Sequence, residues 1–453
     1  DLAYGSTYGE NGITLTDLSM AIIKANEIVN VDNNAIELLS CKPGKGNRIL
    51  IANNRLAIRA GGWRSIYLRQ SRDVDIIHNT IGSYNSQGNI GLFNCSGVKF
   101  DNNIVASFGS SGNSPVIQLS NVDSFQSDFN CLYTEGCFIA NLNGNSYRSL
   151  QAWTSATKND SNSIAYNPRL KAADELTTEY SRLIGAGDNY QSLIQDDISG
   201  NTRPAKPCIG ADEYQSPPLT WLTGEYHIPG DFDSLSAAID SLHVKGIDGH
   251  VRFILHPAIY QGNLTISEFD RRNLTDSLTI ESLFKDSASV LIRYKANNKD
   301  DNYVLKLGGS VNLTVRGITF QAMGSDFARV IELSDKSVNL TLDENWLVSN
   351  AKTETANRAA IIYADDYVFE NLKITNNVFI NGSYGIMMSG RDPYCYDSQG
   401  LLVENNKMYD VFNKGIQLAW GTNVAILDNR ILLGAFAQSY GVLAILIDGI
   451  TIK

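Results

Sequence analysis

The chain has 453 residues, with 37 Lys or Arg against 48 Asp or Glu, a net charge of −11. That balance argues against nucleic acid as a partner: the nearest basic cluster, Arg64, Arg69 and Arg72, is offset by Asp73 and Asp75. No apolar run is long enough to span a membrane. Six cysteines are too few for a disulfide scaffold, and the five histidines show no metal-ligand spacing.

In chain order, two signals alternate. One is a short strand of the type Gly-Ile-x-Leu, and the other is an Asn followed one residue later by an aliphatic side chain. Ile13 and Asn26, Ile66 and Asn79, Ile90 and Asn103, Ile117 and Asn130, and far downstream Ile416 and Asn429, are each thirteen residues apart. Looser pairs fill the gaps: Ile36 with Asn54, Ile331 with Asn345, Ile361 with Asn377, Ile386 with Asn406. A unit of roughly 23–30 residues repeating in this way predicts a solenoid, each coil covering the apolar face of the last. Stretches such as Asn312–Phe320 and Asn339–Asp343 alternate with period two and favour strands. Coils this short leave no room for a long helix, so their strands must stack in parallel at about 4.8 Å. The recurring Asn is expected to take a left-handed corner and to bond to its neighbour on the next coil.

On these residues the chain resembles the right-handed parallel β-helix of the pectate-lyase-like superfamily, whose asparagine ladder occupies such a corner. The expected fold class is all-β: two tandem right-handed parallel β-helices, each with a short capping helix. Residues 1–216 make the first, with its amino-terminal part missing. In a closing segment, 147–214, the ladder stops and Ser149–Trp153, Asp160–Ser163 and Ile209–Tyr214 appear. That segment resembles the closing segments of secreted bacterial β-helix proteins, where a short helix and a last strand end the stack. Gln215–Leu219 reads as a stiff linker. Residues 217–453 make the second solenoid, opening on an amphipathic helix with Leu235, Ala238, Ile239 and Leu242 on one face and Asp233 as its cap. This opening resembles the amino-terminal cap of pectinesterase-like β-helices from Bacteroidota. Val442 plus thirteen falls beyond Lys453, so the native polypeptide is expected to continue in both directions.

Cys41 and Cys95 lie in one column two coils apart, roughly 10 Å, too far to bond, and are expected to be small buried hydrophobes. Cys131 and Cys137 are near enough in sequence to pair, but their spacing fixes no geometry.

In the superfamily that the chain resembles, polysaccharide lies along the outer face of the first sheet. The middle residue of Ile-x-Leu points outward, which gives the columns Thr14, Glu37, Tyr67, Gly91, Gln118 and Glu332, Ile362, Met387, Gln417, Leu443. Neither column supplies the paired carboxylates of a lyase or hydrolase. Asp335 and Asp365 each lie four residues past their coil's Ile and are expected to stack about 5 Å apart. There they would shift each other's pKa or hold Ca²⁺. The next coil supplies Arg391 and, within an insertion, Asp392, Tyr394 and Tyr396. Asp335, Asp365 and Arg391 are therefore the candidate catalytic groups, and the insertion supplies candidate ligand contacts. Against catalysis, Asp is a routine turn residue, and the pectinesterase signatures Gly-x-x-Asp-Phe-Ile-Phe-Gly and Gly-Arg-Pro-Trp are absent.

A second candidate patch is Trp63, Arg64, Tyr67 and Arg69, with Arg59 beside them. These groups suit the stacking of sugar rings and the binding of acidic glycans, or else simply cover apolar surface. The expected role is a structural stalk or adhesin with weak glycan binding, secreted or on the cell surface of a bacterium using type IX secretion. Its partners would be other modules of the same polypeptide, polysaccharide and secretion machinery, with no cofactor beyond Ca²⁺ at Asp335 and Asp365. The alternative is a carbohydrate-active enzyme, a polysaccharide lyase, glycosidase or pectinesterase-like esterase, acting on acidic polysaccharide.

Overall fold

Three strand segments make a full coil, the first two running together as one strand at Ile90–Asp101 and Lys414–Leu427, and a left-handed residue bends the chain between segments. In the coil of residues 64–83 the strands are Arg64–Arg69, Arg72–Ile77 and Thr80–Ser83. Its corners are Gln70 (φ 53°) and His78 (φ 55°). A computed structural model describes residues 11–59, 61–83, 88–109, 114–171, 175–178, 180–214, 220–391, 398–436 and 438–453. They fall into two units, Asp1–Pro217 and Pro218–Lys453. The whole Gln215–Leu219 stretch, and Asp392, Tyr394 and Tyr396, lie outside the described residues.

Parallel pairing sets the register. In the first unit Ile13, Ile36, Ile66, Ile90, Ile117 and Ala140 stand in one column. In the second the column is Leu305, Ile331, Ile362, Ile386, Ile416 and Val442. Ile362 therefore replaces Ile361 as the paired inward residue, and Tyr363 replaces Ile362 as the outward one. Both isoleucines are fully buried, so the doubled Ile-Ile hid a shift of one residue, which in a strand exchanges the two faces.

Two helices close solenoid ends, where apolar core would otherwise be wet. Helix α1 (Leu150–Thr157) places Trp153 in the core of the first unit. Helix α2 (Leu235–Lys245) buries Leu235, Ala238, Ile239 and Leu242 in the second. The cap of α2 is Ser234 rather than Asp233: its side chain accepts from the Ala237 amide at 3.1 Å.

The asparagine ladder is present, but the left-handed corner belongs to the residue before it. Ala25, Asn53, His78, Asn102, Phe129, Glu344, Asn376, Asn405 and Asp428 all have φ between 53° and 58°. Relieved of that task, the ladder residue turns its amide inward. Asn79 Nδ2 donates to Asn103 Oδ1 (3.0 Å) and to the Ile51 carbonyl (3.0 Å), while the Asn79 backbone N–H donates to the same Oδ1 (2.9 Å). These amide-to-amide bonds join Asn26, Asn54, Asn79, Asn103 and Asn130 in the first unit. They join Asn345, Asn377, Asn406 and Asn429 in the second. One coil before Asn345, Gly317 (φ 63°) makes the corner and Ile318 stands in the ladder position, giving only its backbone N–H to Asn345.

In the first unit the ladder ends on a carboxylate. Asp160 Oδ1 accepts from Asn130 Nδ2, Ser127 Oγ and Ser163 Oγ, and its Oδ2 accepts from Trp153 Nε1 at 2.7 Å. Beyond it, residues 175–178 and 180–214 run back over the outside of the sheet toward the earlier coils as a strap. Tyr180, Leu183 and Ile209 cover Ile104 and Cys131, and Ile194 joins Leu50, Ala52 and Ile77. Asn102 Nδ2 donates to the Asp188 carbonyl (2.8 Å), Arg203 to Asn53 Oδ1 (2.8 Å), and Arg55 pairs with Asp212. Outward-facing Thr80, Ile104 and Cys131 are thereby fully buried.

The Cys131 thiol donates to the Tyr166 carbonyl (3.3 Å) and is not a partner for Cys137. Cys41 and Cys95 are buried thiols, with Ser71 on the coil between them accepting from the Cys41 N–H at 3.1 Å.

Candidate functional site

On the outer face of the second unit's long sheet, side chains from successive coils form one strip. The register places Thr265, Lys306, Glu332, Tyr363, Met387, Gln417 and Leu443 above one another. Thr265 Oγ1 lies 3.1 Å from the Tyr303 hydroxyl. Glu332 receives Lys306 at 2.8 Å and Arg329 at 2.9 Å. The Arg329 guanidinium then stacks on Tyr363 with 3.5 Å to the ring centroid. The Tyr363 hydroxyl donates to Asp365 Oδ2 (3.3 Å), and the Ser389 hydroxyl donates to Asp365 Oδ1. Burial and the nearby Asp365 charge raise the Tyr363 pKa, so it stays a neutral donor.

This arrangement corrects the expected acid stack. Leu333 pairs with Ala364, so Ser334 lies beside Asp365, and Asp335 beside Asp366. The cause is the same one-residue shift at Ile362. Asp335 and Asp366 are both left-handed corners (φ 59° and 53°), which is the turn role open to Asp from the start. Arg391 Nε faces Asp366 at 3.5 Å, not Asp365. Among the described residues, no group of three or more His, Cys, Asp or Glu is placed to hold a metal.

Near the cap, Glu281 is 1% exposed and sits between Arg252 and Arg316, with Nε–Oε distances of 2.8 and 2.7 Å. Burial pushes its pKa up, but the hydrogen bonds from Arg252 and Arg316 outweigh this and hold it below the usual value. A depressed folded-state pKa contributes stability that is complete above the unfolded value, about 4.3. That contribution is lost as pH falls through the folded value. Glu281→Gln is therefore expected to lose less stability than wild type between pH 7 and pH 3.5 in urea titrations. Parallel losses would mean that the ion pairs contribute nothing.

In the first unit the outward column is Thr14, Glu37, Tyr67, Gly91, Gln118 and Asn141. Glu37 is saturated by Asn11 (2.8 Å), Asn34 (3.1 Å) and Thr14 (3.3 Å). Trp63 (53% exposed) and Arg69 are at the surface, and Tyr67 packs against Phe93 at 5.5 Å. Arg64, expected among exposed ligand contacts, is only 5% exposed. Its stem lies across Gly91, where an added Cβ would come within 2.6 Å of Cδ, and its guanidinium reaches Gln118 and the Phe93 ring. Among the described residues, Nε and Nη1 have no hydrogen-bond partner. Burial draws the Arg64 pKa down to about 10. A buried cation without a counter-charge is destabilising, so Arg64→Met is expected to leave stability unchanged or raise it by about 1–3 kcal/mol. A loss of more than about 1 kcal/mol in urea unfolding would show that the guanidinium contributes favourably to the fold.

Residues 307–445 match the family described as the right handed beta helix region. No curated protein matches the chain. No helix is long and apolar enough to cross a membrane among the described residues.

Proposed function

Because the chain is a right-handed parallel β-helix protein, we propose that it serves as a rigid scaffold outside the cell, secreted or surface-bound, whose outer sheet faces hold polysaccharide without turning it over. The observation that carries this reading is the strip from Lys306 to Ser389. Its carboxylates, Glu332 and Asp365, are each taken by neighbouring donors rather than aimed at a shared vacant volume. General acid–base work on a glycosidic bond needs two carboxyl groups facing the sugar at a set separation. A strip that carries the Tyr363 ring, paired charges and Gln417 instead suits stacking and hydrogen bonding along an extended polymer. The weak, repeated contacts of such a strip make an adhesin when several copies or modules act together.

Incubation with pectin-, alginate- and neutral glucan-type polymers tests the reading. Retardation in affinity electrophoresis is expected, weakened at least tenfold by Tyr363→Ala, with no release of shorter products. Product release abolished by Asp365→Ala would replace the scaffold with an enzyme. Failure of every polymer to retard the protein would remove the glycan role.

A further inference from the structure

Two histidines far apart in sequence meet at the first end of the second unit. His227 precedes buried Ile228 in the strand Glu225–Ile228, so it points outward. The parallel strand His250–Leu255 pairs beside it and leads directly into His256. A bond from the His256 backbone N–H to the Ile228 carbonyl (2.8 Å) fixes the two residues together. His227 Nδ1 and His256 Nε2 are 3.0 Å apart, with the rings inclined at 68°. Both side chains are half-buried and open to solvent on one side. At that separation one nitrogen carries the proton and the other supplies its lone pair, so the rings share a single proton.

That geometry is close to a chelate. Two imidazole nitrogens on one tetrahedral Zn²⁺, each at 2.0–2.1 Å, stand roughly 3.3 Å apart, a few tenths of an ångström beyond the present pair. We propose that His227 and His256 form a two-imidazole site for a borderline divalent transition cation such as Zn²⁺, Ni²⁺ or Cu²⁺. Binding needs a lone pair on both facing nitrogens. The ring that holds the bridging proton therefore takes its other neutral tautomer, the proton passing through solvent to that ring's remaining nitrogen with no net release, and water completes the cation's shell. Asp231, whose Oδ2 accepts from the His227 backbone N–H at 2.7 Å, adds negative charge at the same turn. Hard cations such as Ca²⁺ and Mg²⁺ require oxygen ligands and do not suit the pair. Occupancy ties the strand Glu225–Ile228 to the turn after His250–Leu255, beside helix α2. With two protein ligands rather than four, the site is weak and exchangeable.

Isothermal titration of the 453-residue chain with CuCl₂, NiCl₂, ZnCl₂ and CaCl₂, in a buffer that does not bind metal, tests the site. One transition cation per chain is expected, Cu²⁺ tightest and Ca²⁺ silent. His227→Gln and His256→Gln should each weaken Ni²⁺ binding at least tenfold and abolish the rise in unfolding midpoint that Ni²⁺ gives the wild type. His250→Gln should change neither, since His250 bonds to Ser277 (2.7 Å) away from the pair. Circular dichroism establishes that each variant is folded. No saturable binding, binding retained in both variants, or an equal response to Ca²⁺ would overturn the assignment.

Discussion

Asp160→Ala is expected to destabilise the first unit by about 3–5 kcal/mol, the range for breaking a buried, charged hydrogen-bond network. The residue is 2% exposed. Its carboxylate is the common acceptor for Ser127, Asn130, Ser163 and Trp153. Truncation strands the Trp153 indole N–H, while the Asn130 amide keeps the Phe100 carbonyl (2.8 Å) and Ser127 Oγ (3.0 Å) as acceptors; a buried donor left unpaired adds about 1–3 kcal/mol. Asp160→Asn keeps the shape but replaces one acceptor oxygen with a donor, so it should fall between alanine and wild type. Urea unfolding followed by tryptophan fluorescence measures both. A loss under about 1 kcal/mol for the alanine variant would mean that the ladder needs no terminal acceptor.

Arg203→Ala is expected to have a comparable effect by a different route, releasing the strap. The Arg203 side chain is 1% exposed and pairs with Glu213. It also donates to Asn53 Oδ1 at 2.8 Å and to the carbonyls of Gly210 (3.1 Å) and Ala211 (3.0 Å). Removing one partner of a buried pair costs about 3–5 kcal/mol because the other charge stays behind. Cys208 provides a local readout: its thiol is 1% exposed, and burial has pushed its pKa up to about 11. In the variant this thiol should react with a thiol reagent orders of magnitude faster, the more so as solvation restores an ordinary pKa. Unchanged protection of Cys208 would show that the strap is held by its apolar contacts alone.

The parts of this molecule legible in its sequence are those written in a period. Thirteen residues from Ile66 to Asn79 and from Ile90 to Asn103 suffice to stack the coils, and Asn79 does bond to Asn103. What escapes is anything local periodicity leaves degenerate. Ile361 and Ile362 are equally apolar, and only pairing with Ile331 chooses between them; that choice alone moves Asp365 out of Asp335's column. Corner residues as different as Ala25, Phe129 and Glu344 share one backbone conformation, so no residue type announces the corner. Arg64 reads as a surface cation until Gly91 on the next coil is seen to open the space its stem fills. The strap was invisible for another reason. Its contacts join residues distant in sequence, 157 positions apart for Arg55 and Asp212 and 86 for Asn102 and Asp188, and no short window along the chain contains both partners.

That separation carries a consequence for how the first unit comes into being. A chain emerging amino-terminus first can wind its early coils as they appear, because each needs only the one before. The outer side of those coils, at Ala52, Ile77 and Thr80, nevertheless stays wet until residues near 194–212 arrive to cover it. Contacts of such long sequence separation form late, so the unit attains its full strength only after residues 194–212 have emerged and docked. In that interval it is open to proteases and to mispairing with other chains.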